Sequence, residues 1–85
     1  MTYRLIIPPD IRRQIQQLTL EDQHTLDQLL RDIQADPESH TGAYGENTDG
    51  PIQMRSAGRG NILAVIIVNQ LTINITLVQV QAPLG

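Results

Sequence analysis

Residues 62–68 are seven consecutive apolar residues, five of them β-branched, and this run constrains the fold more than any other segment. It suits a central strand buried on both faces of a sheet, although a strand of an antiparallel sheet more often alternates. Downstream, Leu71, Ile73, Ile75 and Leu77 alternate with Thr72, Asn74 and Thr76, the period of a strand with one covered face. After Leu77 the apolar set moves to Val78 and Val80, the opposite parity. A β-bulge or a doubly covered strand end would account for that shift. Upstream, residues 52–55 read as a short strand. Residues 56–61, with Gly58 and Gly60, read as the hairpin turn into the apolar run, and Asn69-Gln70 as the next turn.

A sheet of this kind needs a cover, and the first half of the chain supplies one. Residues 3–7 are a short strand candidate stopped by Pro8-Pro9, a pair suited to helix entry. From Asp10, the apolar residues Ile11, Ile15 and Leu18 share a helical face. Thr19 followed by Leu20, Glu21 and Asp22 resembles a capping box with Asp in the third position, and acids in a first turn suit the helix dipole. Leu26, Leu29, Leu30 and Ile33 continue that second helix until Asp36-Pro37 ends it near Ala35. Residues 36–51, rich in Pro, Gly, Asn, Asp and Ser, are expected to form a mobile loop, and the tail from Ala82 to fray. The order β-α-α-β-β-β predicts an α+β fold: a two-layer sandwich with an antiparallel four-stranded sheet and a helical hairpin on one face. The first strand must join by a nonlocal pairing.

At 85 residues the chain is read as a single domain, residues 1–85. A chain of this size buries roughly 63% of its unfolded surface, which makes help from a partner, or self-association as a homodimer, plausible. Two tyrosines are its only aromatic residues, so modules that stack bases on rings are disfavoured. There is no cysteine, which excludes disulfides and thiolate metal clusters, and no lysine. Residues 19–40 hold six acids against Arg31, whereas the rest of the chain holds five Arg against three acids. With so few cations, any contact with nucleic acid would be small and local. No segment approaches the ~20 apolar residues of a spanning helix, and the start is too short in apolar residues for a signal peptide. The chain therefore reads as soluble and cytoplasmic, with no membrane partner.

The candidate binding residues for RNA or another target are Arg55, Arg59, Arg12 and Arg13. Arg55 and Arg59 flank the Ser-Ala-Gly segment and, brought together by the hairpin, two guanidiniums could clamp a phosphate. The plainer reading is that they are solubilising charges or pair with acids of the same chain. Arg12 and Arg13 could join them against an acidic peptide. His24 is an ordinary boundary residue of the second helix, and His40 a solvated loop histidine without rigid support for acid-base work. Tyr44 would pack the loop down. No Walker loop, nucleophile elbow or metal-ligand spacing is present, so no catalytic residue, metal or cofactor is assigned.

Tyr3 at the head of the first strand, a helical hairpin closing at Asp36-Pro37, Arg55 in the second strand and Gly60-Asn61 before the third together resemble the RelE/ParE family of bacterial toxins. The resemblance covers nearly the whole chain and implies an α+β toxin fold wrapped by a small antitoxin protein. It implies one of two targets, the ribosome with its mRNA or DNA gyrase. Where many members carry Tyr-Arg after the Gly-Asn pair, this chain has Ile62 and Leu63. Where ribonuclease members place a late Tyr or His, it reads Val78-Gln79-Val80-Gln81-Ala82-Pro83. The leading expectation is thus a toxin-like component lacking a complete ribonuclease site. The alternatives are a ribosome-dependent mRNA endonuclease and a degenerate toxin-fold protein acting only by interaction.

Overall fold

The computed structural model describes residues 2–45 and 50–83. The chain enters through strand β1 (Arg4–Ile6) and turns at the two prolines into helix α1 (Pro9–Gln16). Pro9 occupies the first helical turn, where its missing N–H costs nothing and its fixed φ is already helical. Thr19 caps α2 (Leu20–Ala35), its hydroxyl accepting from the Asp22 N–H at 3.1 Å. The reciprocal half of a capping box is missing, because the buried Asp22 carboxylate instead accepts from Asn61 Nδ2 at 3.2 Å. That bond ties the start of α2 to the Gly60-Asn61 hairpin turn. The helix ends at Ala35, as the residue before Pro37 demands.

The segment expected as one loop is partly ordered. Pro37–His40 forms a single helical turn, α3, capped by the Asp36 carboxylate, and Gly42–Ala43 forms a short strand, β2. The turn formers Asn47 and Asp49 lie outside the described residues, as do Leu84 and Gly85 of the tail. Strand β3 (Ile52–Arg59) runs four residues beyond the expected 52–55, so the hairpin turn contracts to Gly60-Asn61. Gly60, at φ +57, supplies the positive φ that a two-residue turn of type II′ needs at its first position. Strand β4 (Ile62–Asn69) follows, and then a four-residue turn in which Asn69 Oδ1 accepts from the N–H groups of Leu71 and Thr72. Ile73 closes that turn at φ +54, a left-handed conformation that is strained for a β-branched residue. Leu71 and Ile73 therefore belong to the turn, and the last strand, β5 (Asn74–Gln81), starts later than the alternation suggests.

The sheet order is β1-β5-β4-β3-β2. The α+β class and two-layer arrangement are as expected, but the sheet has five strands and is mixed, because β1 pairs with β5 in parallel while the other pairs are antiparallel. The reason lies 31 residues away from β1: the Tyr3 N–H donates to the Gln34 carbonyl and Gln34 Nε2 donates back to the Tyr3 carbonyl. This clamp fixes the start of β1 beside the end of α2, at the end of the sheet where β5 also begins. The expected bulge is present. Val65 pairs with Gln79 and Ile66 with Leu77, leaving Val78 as the extra residue, so Leu77 and Val80 both face the helices.

The core lies between the helices and one sheet face, with Leu26, Leu29 and Ile33 of α2 against Ile62, Ile66, Ile75 and Leu77. Burial along β4 alternates: Ile62, Ala64, Ile66 and Val68 are buried, while Leu63 is 49% exposed and Val65 and Ile67 are half-buried. The expectation that residues 62–68 are buried on both faces is thus corrected, because both long helices pack on the same side.

Candidate functional site

The cross-strand register places Gln53, Arg55, Ala57 and Arg59 of β3 beside the buried residues Val68, Ile66, Ala64 and Ile62, on the helix-covered face. Successive same-face residues on a strand are about 6.6 Å apart, so the Arg55 and Arg59 backbones lie roughly 13 Å from each other. Each guanidinium has its own intrachain partner. Arg55 Nε donates to the Thr41 hydroxyl at 2.5 Å, a second nitrogen donates to the Thr41 carbonyl at 3.0 Å, and a third donates to Gln53 Oε1 at 3.0 Å. The Thr41 hydroxyl in turn donates to the Pro37 carbonyl at 2.6 Å. Arg55 therefore fastens the α3–β2 segment to the edge of the sheet. Arg59 makes a partly exposed salt bridge to Asp32 of α2 at 2.7 Å.

Beside Arg55, where the end of α2 and α3 meet β3 and β4, a cleft of about 140 Å³ is lined by Tyr3, Asp36, Glu38, Gln53, Arg55 and Gln70 among others. One guanidinium there faces two carboxylates, so the local charge balance disfavours a phosphate. Asp36 is held below the ordinary aspartate range, chiefly by the Ser39 hydroxyl donating to it at 2.6 Å, then by the Ser39 N–H and the charge of His40. It acts as the cap of α3, a structural role.

Arg12 and Arg13 are exposed on α1, the helix that packs over β5. Arg55 and Arg59 lie on β3, two strand spacings from β5, or roughly 10 Å across the sheet. The four arginines do not converge on one site: Arg12 and Arg13 stand on α1, Arg55 is bound to Thr41 and Gln53, and Arg59 to Asp32. His24 is exposed on α2, with Gln28 Nε2 at 3.3 Å from its Nε2. His40 stands in α3, exposed, on an ordered turn rather than in a loop. Tyr44 is 44% exposed, and its N–H donates to the Met54 carbonyl, extending the β2–β3 ladder. Among the described residues, no three His, Asp or Glu side chains gather as metal ligands, and no helix is long and apolar enough to cross a membrane.

Two features escape sequence reasoning. Thr41 and Gln53 become partners of Arg55 only through strand pairing, and no local pattern signals it. The half-exposed row Leu63, Val65 and Ile67 does leave a trace, in the absence of polar residues from 62–68, but that trace equally describes a strand covered on both sides.

No protein-family model matches the chain, and no curated protein matches it by sequence. Among solved structures, the chain is similar to a chain in the crystal structure of the archaeal RelE–RelB complex from Pyrococcus horikoshii OT3. The TM-score is 0.75 at 17% sequence identity, over 96% of each chain. The protein thus has a RelE-like fold, matched from end to end.

Proposed function

We propose that this chain is the toxin-side component of a toxin–antitoxin pair, held in check by a small antitoxin protein. The observation that carries the reading is the end-to-end fold likeness to a chain from a RelE–RelB complex. It is supported by the loose family marks Tyr3, Asp36-Pro37, Arg55 and Gly60-Asn61, which fall in this fold at a strand head, a helix end, a strand and a hairpin turn.

We read the action as binding rather than RNA cleavage. Cutting at a 2′-hydroxyl needs a proton acceptor, a proton donor and cations on the phosphate, and each positioned acid or base contributes about 10²- to 10⁴-fold. Arg55 and Arg59 both hold intrachain partners, and β5 ends in Gln79, Val80 and Gln81, none of which titrates. On this reading the ParE-like target, DNA gyrase, fits better than the ribosome and its mRNA. The test is expression of the chain alone and together with the small protein encoded beside it. The expected result is growth arrest in the first case and relief in the second, and unchanged growth in both would end the toxin reading. Cleavage of translated mRNA that is lost in the double variant Arg55→Ala, Arg59→Ala would restore the endonuclease alternative.

A further inference from the structure

Six large apolar side chains stand exposed among the described residues, and four of them, Tyr44, Ile52, Met54 and Leu63, fall on one surface. The β3–β4 register puts Ile52, Met54 and Leu63 on the sheet face away from the helices, in one field with Val65 and Ile67. Tyr44 continues the β2–β3 register to the place opposite Met54. No described element covers this face.

Its chemistry is as informative as its exposure. The β4 row Leu63, Val65 and Ile67 is flanked by Met54, Ser56 and Gly58 on β3 and by Thr76, Gln79 and Gln81 on β5, with no ionisable group among them. On this face of the described strands only Arg4, on the edge strand β1, carries a charge. Arg12, Arg13, Asp27, Arg31, Asp32 and Arg59 all sit on the helical side, so a partner selected by charge would dock there. A two-fold contact sets a surface against itself, so any charge near the axis would meet its own copy. A neutral aliphatic row avoids that repulsion. Three strands of eight residues and two short edge strands, at about 3.3 Å per residue and 4.8 Å between strands, span on the order of 450 Å² per copy, or roughly 900 Å² for two, the size of a weak, reversible interface.

We infer that this open sheet face is a homodimer interface, on which a second copy of the chain packs sheet against sheet about a two-fold axis near Val65. Facing sheets stack about 10 Å apart, a spacing that the Leu63, Val65, Ile67 and Met54 side chains of two copies would fill. The inference concerns the chain alone and does not depend on the toxin reading.

Sedimentation equilibrium of the purified full chain tests it. A reversible monomer–dimer equilibrium with a dissociation constant in the micromolar range is expected, as for a small and transient interface. Leu63→Glu should raise that constant at least about tenfold by placing like charges across the axis. Leu20→Glu, at an 83% exposed apolar residue on the helical side, should leave it unchanged. Because the chain has no cysteine, Val65→Cys gives a unique thiol, which a short bismaleimide should link between copies while Leu20→Cys is not linked. This second readout stands even if Leu63→Glu fails to fold. A monomer at about 200 µM would overturn the inference, and so would a dimer that a folded Leu63→Glu leaves intact or that Val65→Cys fails to crosslink.

Discussion

Arg55 is a residue whose sequence position invites a functional reading and whose contacts argue for a structural one. Its three bonds to Thr41 and Gln53 hold the α3–β2 segment against β3, and the Thr41 hydroxyl relays the tie to Pro37. Hydrogen bonds to a charged group contribute about 1.5 to 3 kcal/mol each when partly buried, with wide variation. Arg55→Ala is therefore expected to lower stability by about 2 kcal/mol and Thr41→Val by about 1 kcal/mol, read from urea unfolding. The double variant should cost less than the sum of the two, because both remove the same contact. An Arg55→Ala variant as stable as the parent chain would assign the side chain to a target instead.

Asp36 provides a pH dependence on the same segment. Its folded pKa is lowered, first by the Ser39 hydroxyl. A depressed carboxyl contributes its stabilisation fully above its unfolded pKa and loses it as pH falls through the folded value. The α3 turn should therefore stay capped at neutral pH and loosen only on acidification below the ordinary aspartate range. An NMR titration of the Ser39 amide should show this, and Ser39→Ala should shift the midpoint upward.

At the scale of elements, the bulge in β5 reconciles an irregular pattern with a regular core. Leu77 and Val80 are three residues apart, yet both are buried on the helix side, because Val78 is looped out of the pairing. Deleting Val78 would bring Leu77, Gln79 and Val80 into plain in-out-in alternation. The deletion variant is therefore expected to fold with Val80 still buried and to stay within about 1 kcal/mol of the parent, as shown by circular dichroism and urea unfolding. Val80→Asn, which sets an amide among the aliphatic residues without changing the register, should cost more, about 2 kcal/mol. If the deletion unfolds the chain, the bulge also supplies a twist that the sheet needs.

For the whole molecule, one small core must carry cooperative folding. Stability of 0.05 to 0.15 kcal/mol per residue puts a domain of this length on the order of 4 to 13 kcal/mol. Ile66 is fully buried on the central strand, and Ile66→Ala is expected to cost about 2 to 5 kcal/mol through lost burial and the cavity left behind. A fall of that size in the free energy from urea unfolding would show that the sheet and helices melt as one unit. A loss below about 1 kcal/mol would mean that the core relaxes around the gap.

What the sequence alone determined is what local chemistry decides. Thr19 caps a helix, Asp36-Pro37 ends it, Gly60-Asn61 turns a hairpin, and the change of parity after Leu77 announces a bulge, because each depends on neighbours a few residues away. From these the α+β class and its two layers follow. The tertiary structure alone decided that β1 lies parallel to β5, that Arg55 and Arg59 hold Thr41 and Asp32 rather than one another, and that β4 is covered on one side only. Those outcomes rest on contacts between residues far apart in the chain, such as Tyr3 with Gln34, and periodicity records that a face is apolar but not what comes to lie against it.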